Sequence, residues 1–119
     1  MTNITWNTLS SIEQLDAIDQ ESMEYPVLIF KHSIRCSISA ATLNRFESKW
    51  DNLSAKNLKP YYLDLINHRD VSNEIASRYG INHQSPQTLI IVNGQCVLDN
   101  SHFGISFADI TGRIKAMTV

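Results

Sequence analysis

The chain has 119 residues and a formal net charge of −2 at pH 7. Its length fits one domain that buries its own core, and its composition, 43% hydrophobic and 18% charged, argues against a disordered chain. The weak negative charge disfavours nucleic acid or a membrane surface as a partner, and the longest apolar run, Val27–Phe30, is too short to span a membrane. The N-terminal residues lack the basic and apolar pattern of a signal peptide, which predicts a cytoplasmic protein.

The first predicted elements are a helix and a buried strand. Ser11 and Gln14 have the spacing of a capping box, which marks the helix start, and Tyr25-Pro26 ends the helical pattern. Val27–Phe30 is a continuous run of apolar residues, typical of a strand that helices cover on both faces. The apolar residues at helical spacing, which predict the buried side of this helix, are Ile12, Leu15 and Ile18.

Two further helices are predicted on either side of a second strand. One helix runs from Cys36 to about Trp50, and the strand follows at Tyr61–Leu65. The next helix has Asp70 as its predicted N-cap and ends at Gly80, the usual position of a C-terminal glycine. The predicted buried residues are Ala40, Leu43, Phe46 and Trp50 in the first of these helices and Val71, Ile75 and Tyr79 in the second.

The last part of the chain predicts a hairpin and a final helix. Strands at Thr88–Val92 and Gln95–Leu98 are joined by Asn93-Gly94, two residues that both accept a positive φ. A helix begins after Ser106, with Asp109 at capping distance, and its predicted buried residues are Phe107, Ile110, Ile114 and Met117. Together the elements predict a single α/β domain over residues 1–119, with a mixed four-stranded sheet flanked by helices on both faces.

Cys36 is the first candidate for chemistry because it lies between a buried strand and a helix. A helix N-terminus offers free backbone N–H groups and the positive end of the helix dipole, and both favour a thiolate over a thiol. Lys31, His32 and Arg35 add cationic groups close by in sequence. This placement predicts a reactive thiol, with an inert core cysteine as the alternative.

No second cysteine stands next to Cys36. Ser39 lies three residues on, where a Cys-x-x-Cys redox motif has its second thiol, so a disulfide within this motif is impossible. The alternative for Ser39 is an ordinary hydroxyl of the first helical turn. Cys96 is predicted to be structural, since a resolving role would require a close approach of its sulfur to that of Cys36. Two cysteines and four scattered histidines also lack the spacing of metal ligands, which predicts no metal site.

The chain resembles known families over most of its length, from Trp6 to Ile114. The second half of a thioredoxin-fold protein is resembled by Leu63–Leu65, a helix that ends Arg78–Ile81, and Ser85–Gly94. Phe30–Ala40 is similar to the signature of the YtxJ-type monothiol bacilliredoxins. Ser37 departs from that signature, because a proline often stands at this position. The resemblance implies a thioredoxin-like fold in which Pro86 follows a cis peptide bond and faces Cys36.

The resemblance also implies a reaction and its participants. Cys36 is then the redox cysteine, which removes a low-molecular-weight thiol of bacillithiol type from proteins that carry it as a mixed disulfide. The residues expected to contact substrate are Ser85, Pro86, Arg35, Ser39 and His32. The expected partners are S-thiolated proteins, the small thiol as a co-substrate and a thiol reductase, with no tightly bound cofactor.

Two other functions fit the same pattern of residues. Monothiol glutaredoxins with a Cys-Gly-Phe-Ser motif hold an iron–sulfur cluster together with a small thiol, although Ser37 and Ile38 replace Gly and Phe here. A redox-silent interaction module would have the same fold without thiol chemistry. Asp64 is expected either as a polar residue at a strand end or as a buried acid beneath the active site.

Overall fold

The central sheet has five strands, one more than the sequence predicts. The computed structural model describes residues 4–55 and 57–117. The strands are β1 (Asn7–Thr8), β2 (Val27–His32), β3 (Lys59–Asp64), β4 (Gln87–Val92) and β5 (Gln95–Ser101). The helices are α1 (Ile12–Glu21), α2 (Ser37–Lys49), α3 (Arg69–Tyr79) and α4 (Phe107–Met117), with a short 3-10 helix at His102–Gly104. None of the helices in these two ranges is long and apolar enough to cross a membrane.

The strand order is β1-β3-β2-β4-β5. β2 pairs in parallel with β3 and antiparallel with β4, and β5 continues the antiparallel pairing from β4. The additional strand, β1, pairs in parallel with β3 at one edge of the sheet. It has only two residues, too few for an alternating pattern to reveal it in the sequence. The predicted mixed sheet with helices on both faces is confirmed.

β2 is buried along its whole length in the middle of the sheet. Its successive apolar side chains pack alternately in a core beneath α2 and α4 and in a core beneath α1 and α3. The alternation continues to the end of the strand, where His32 contacts Ser39 of α2 and Lys31 contacts His83, which follows α3. The end of β2 thus sends one polar side chain into each layer of the molecule.

Local sequence signals predict several helix ends and turns correctly. Ser11 and Gln14 form the complete capping box at the start of α1. Asn93 and Gly94 both have positive φ angles, 53° and 74°, in the turn between β4 and β5. Gly80 ends α3 in the left-handed region with φ 65°. The capping box, the hairpin turn and the helix end each depend on residues that are close in the chain, which is why short sequence patterns are sufficient to predict them.

Some details of the predicted helices are wrong. α2 turns Ser39 and Thr42 towards the sheet. The Ser39 hydroxyl accepts the N–H of Ser33 in the turn before the helix, and the Thr42 hydroxyl donates to the carbonyl of Ile38 within α2. The N-cap of α3 is His68, and Asp70 lies in the first helical turn. The predicted core residues that are exposed instead are Ala40 and Met117.

Candidate active site

The predicted redox cysteine, Cys36, is the N-cap residue of α2. Its backbone N–H donates to the carbonyl of Ser33 at 3.2 Å, closing a tight turn after β2, and its own carbonyl accepts the N–H of Ala40 at 3.1 Å. The thiol is free and half-buried, and it makes no capping hydrogen bond to the helix. Cys36 therefore lies at the helix end where the first backbone N–H groups have no partner within the helix.

Ser39 fastens the turn that carries Cys36 to the end of β2. Its Oγ accepts the N–H of Ser33 at 3.1 Å and lies 2.7 Å from Nδ1 of His32. Ser39 is fully buried and His32 is 5% exposed. Both side chains are closed to solvent in this structure, and their contact with substrate stays a prediction. Their hydrogen bond joins the strand, the turn and the first turn of α2.

The three predicted cations do not form one exposed cluster. Arg35 is exposed in the turn, whereas Lys31 is fully buried on the opposite face of the sheet. Burial lowers the pKa of Lys31 to about 8. Burial also lowers the pKa of His32, against the opposing effect of the Asp64 and Glu47 carboxylates. Of the three side chains, Arg35 is thus the one exposed to solvent.

The segment before β4 reaches the same edge of the sheet as the end of β2. Lys31 pairs with Gln87 in the antiparallel register, so the turn after β2 and the segment before β4 leave the sheet side by side. The Ser85–Pro86 peptide bond is cis. Pro86 is buried, and its carbonyl accepts the N–H of His102 at 3.1 Å. Ser85 is half-buried, and its Oγ has no hydrogen-bond partner within the part of the chain that the structure describes.

Cys96 lies too far along the sheet to form a disulfide with Cys36. It pairs with Ile91 of β4. Gln87, at the start of β4, lies at the end of the sheet near Cys36, and the strand from Gln87 to Ile91 spans about 13 Å. A disulfide requires Cα atoms within about 7 Å. The Cys96 thiol donates to the carbonyl of Leu98 at 3.4 Å, and burial raises its pKa to about 11. These are features of a structural cysteine.

Asp64 serves the chain turn that follows β3. Its Oδ1 accepts the N–H of Ile66 at 3.1 Å, and its Oδ2 accepts from the side-chain amide of Asn67 at 2.6 Å. Both bonds are local in sequence, as in an Asx turn. The structure therefore favours the expectation of a polar strand-end residue over that of an acid beneath the active site.

Exposed apolar side chains near Cys36 are a feature that the sequence analysis missed. Ile34 and Ile38, on either side of the cysteine in the chain, are 52% and 55% exposed. Phe103 is 82% exposed in the 3-10 helix, which begins at the same sheet edge because Ser101 pairs with Gln87. An isolated apolar residue cannot be told from a core residue in the sequence. The one available signal was that Ile38 is not among the predicted buried residues of its helix.

Comparison with known proteins identifies the family. A family model described as monothiol bacilliredoxin BrxC matches residues 7–110. The chain belongs to this family. It is also similar to a solved thioredoxin-fold structure classed as an oxidoreductase, with 32% identity and a TM-score of 0.74 over 88% of this chain and 89% of the other.

Two thioredoxins share the fold at lower identity. The thioredoxin of Malassezia sympodialis has 18% identity and a TM-score of 0.71, over 100% of this chain and 96% of that one. The thioredoxin of Trypanosoma brucei brucei has 16% identity and a TM-score of 0.69, over 96% of this chain and 91% of that one. The domain is thus thioredoxin-like, and its family and fold support a role as a thiol–disulfide oxidoreductase.

Proposed function

We propose that the protein is a monothiol oxidoreductase in which Cys36 removes a low-molecular-weight thiol of bacillithiol type from protein mixed disulfides. The observation that carries the proposal is the pairing of a free, half-buried Cys36 at the N-terminus of α2 with a serine at the place of a second thiol. Ser39 is buried and hydrogen-bonded there, and Cys96 is distant. A mixed disulfide at Cys36 then has no partner within the chain to resolve it.

The reaction consists of two thiol–disulfide exchanges. The Cys36 thiolate attacks the small-thiol sulfur of the mixed disulfide, a new S–S bond forms to Cys36, and the protein cysteine leaves as a thiolate. A second small thiol, as its thiolate, then attacks the small-thiol sulfur bound to Cys36. The two small thiols leave as a disulfide, Cys36 returns to the thiolate form, and a thiol reductase reduces the released disulfide.

The surroundings of Cys36 support a protein as the substrate. The exposed side chains of Ile34, Ile38 and Phe103 offer apolar area to a partner protein at the sheet edge that carries the reactive turn. Arg35, exposed in the same turn, offers a guanidinium to the carboxylates that small thiols of this class carry. Ser85 lies at the same edge, where an extended substrate segment would add to the backbone before β4.

The proposed setting is a cytoplasm with a pool of small thiols. There the pool keeps most protein cysteines reduced, and a mixed disulfide is a reversible modification that needs an enzyme for removal. The small thiol acts as a co-substrate, and the proposal involves no tightly bound cofactor, no metal, no nucleic acid and no membrane. S-thiolated proteins and a thiol reductase are the proposed partners.

Intact-mass spectrometry tests the proposal directly. The purified protein is incubated in parallel with oxidised bacillithiol, glutathione disulfide and coenzyme A disulfide, and the adduct is located by digestion. We expect one adduct, on Cys36, that reaches its highest occupancy with bacillithiol and is absent from Cys36→Ser. Cys96→Ser is the matched control and should take the same adduct.

Three results would contradict the proposal. A failure of Cys36 to take any adduct would favour a redox-silent module. A visible absorption band after anaerobic purification would favour an iron–sulfur protein. Equal labelling of Cys96 would remove the reason to assign the reaction to the thiol at the helix end.

A further inference from the structure

A lysine side chain is buried at the end of β2, close to the proposed reactive edge. Lys31 is fully buried, opposite Leu63 of β3 and Gln87 of β4. Its Nζ lies 3.1 Å from Nδ1 of His83. Burying an ammonium group costs free energy that a methionine of similar length would avoid, unless the group is hydrogen-bonded. The contact with His83 therefore supplies the hydrogen-bond partner that the buried ammonium group needs.

His83 belongs to the segment that leads into the cis proline. A second side chain, Ser72 of α3, places its Oγ 3.3 Å from the same Nδ1 atom. The ring of His83 is thus held at one nitrogen from both β2 and α3. Residues 80–86 connect α3 to β4, and His83 lies three residues before Pro86 in this connection.

Gln87 holds the same segment from the other side of the lysine. It lies opposite Lys31 on the same face of the sheet and is fully buried. Its Nε2 donates to the carbonyl of Asn82 at 3.1 Å, and its Oε1 accepts the N–H of Gln84 at 3.3 Å. Lys31 and Gln87 therefore form a pair of anchors, one for the ring of His83 and one for the backbone on either side of it.

We propose that Lys31 is a positioning residue for thiol transfer: through His83 it holds residues 82–86 against the sheet, so that the backbone before β4 meets the substrate of Cys36 in a fixed place. The proposal rests on the proposed function, in which this backbone is the docking edge. Lys31 acts through the segment and does not touch the reacting sulfur atoms.

The protonation state of His83 decides whether the anchor holds. A lysine ammonium only donates hydrogen bonds, so Nδ1 of His83 must be unprotonated to accept one. The groups that face the ring are Lys31 from β2, and Ser72 and Arg69 from α3. Burial, Lys31 and Arg69 all lower the pKa of His83, which keeps the ring neutral near pH 7. Protonation at lower pH would set a cation against the ammonium and release the segment.

Substitutions at both ends of the contact test the proposal. Lys31→Met keeps the length of the side chain and removes its donor, and His83→Leu removes the acceptor that Lys31 and Ser72 share. For each we expect the KM for a protein mixed disulfide to rise about tenfold, the order expected from losing a hydrogen bond to a charged group. The alkylation rate of Cys36 by iodoacetamide should stay within about twofold, because the helix end is untouched. Lys59→Met is the matched control, since Lys59 is paired with Glu21 at the opposite end of the sheet.

A pH series separates positioning from general stability. His83→Asn supplies an amide oxygen near the place of Nδ1 and does not titrate. At pH 7.5 its KM should equal that of the wild type, and between pH 7.5 and pH 5 the ratio of wild-type to variant KM should rise as the wild-type ring protonates. Because both proteins share Cys36, the ratio removes the effect of pH on the thiol itself.

The possible outcomes decide between the two proposals. Transfer by the wild type with an unchanged KM in both Lys31→Met and His83→Leu would overturn the positioning role alone. So would a flat pH ratio, or a rise in KM in Lys59→Met of the same size. If the wild type transfers no small thiol from a protein, the proposed function fails and the positioning role fails with it.

Discussion

Replacing Ser39 by alanine tests whether the serine in place of a second thiol has a structural role. In the structure its Oγ serves two groups: it accepts the N–H of Ser33 and lies within hydrogen-bond distance of Nδ1 of His32. Alanine would remove both contacts and leave the two groups without a partner. His32 is buried, so water replaces its lost contact poorly, whereas the half-buried Ser33 regains part of its own from solvent.

The expected cost follows from these two groups. Each buried polar group left without a hydrogen bond costs about 1–3 kcal/mol, and the partial exposure of Ser33 places the total for Ser39→Ala at about 2–3 kcal/mol. For a domain of this size that corresponds to a fall in the melting temperature of about 10 °C. Because the contacts hold the turn of Cys36, the rate at which iodoacetamide alkylates this cysteine in the folded variant should also move closer to the rate in the unfolded chain.

Urea unfolding, followed by circular dichroism at pH 7.5, measures this cost. Ser37→Ala is the matched control, because Ser37 is an exposed serine in the same first turn of α2 and its loss should change the free energy of unfolding by less than about 0.5 kcal/mol. An equal, small effect of Ser37→Ala and Ser39→Ala would refute the reasoning. It would mean that the buried hydroxyl does not hold the turn.

Three further predictions concern the thiols, the docking surface and pH. Cys36→Ser should abolish transfer of the small thiol, whereas Cys96→Ser should leave its rate unchanged; an intramolecular disulfide between the two in non-reducing mass spectra would contradict this. Phe103→Ser should raise the KM for protein substrates by about tenfold and leave that for a small disulfide unchanged, because an exposed aromatic anchor contributes at protein interfaces; equal effects on both substrates would count against a protein-docking role. The free energy of unfolding should fall from pH 7.5 to pH 5, since the pKa values of His32 and His83 are lowered by burial and the unfolded chain binds protons first. Stability from these groups is complete above their ordinary value of 6.5, and a urea midpoint that rises towards pH 5 would show the opposite sign.

The sequence predicts those parts of the fold that depend on neighbours in the chain. The capping box at Ser11, the turn at Asn93-Gly94 and the position of Cys36 at a helix start all form as expected. Pairing of β1 with β3 depends on residues distant in sequence, and two residues carry no periodic signal. Phe46 and Trp50 lie on the buried face of α2 as predicted, whereas Ala40 is exposed. Ser39 is buried instead, because His32 and Ser33, which precede the helix, provide partners for its hydroxyl.

In the candidate site, too, some features could be predicted from neighbouring residues and others depend on partners elsewhere in the fold. A lysine, a histidine and an arginine next to a cysteine in sequence suggest one cluster of positive charge, but neighbouring residues in a strand point to opposite faces of the sheet. Lys31 and His32 are therefore separated by the sheet itself, and both are buried. Arg35 is exposed because it follows the strand, in the turn. Strand alternation was readable from the sequence, whereas the partners that make burial of a lysine tolerable were not.

The serine at position 39 links the structural and the chemical parts of the proposal. A cysteine there would offer a second sulfur to Cys36, but a thiol is a weak hydrogen-bond partner and would hold the N–H of Ser33 and the ring of His32 less well than the hydroxyl does. The hydroxyl thus stabilises the turn and at the same time leaves Cys36 without a neighbouring thiol. In the proposed reaction a mixed disulfide at Cys36 must then wait for an external thiol, and the rate of its release depends on the concentration of that thiol. A dithiol enzyme of the same fold would release it at a rate independent of external thiol.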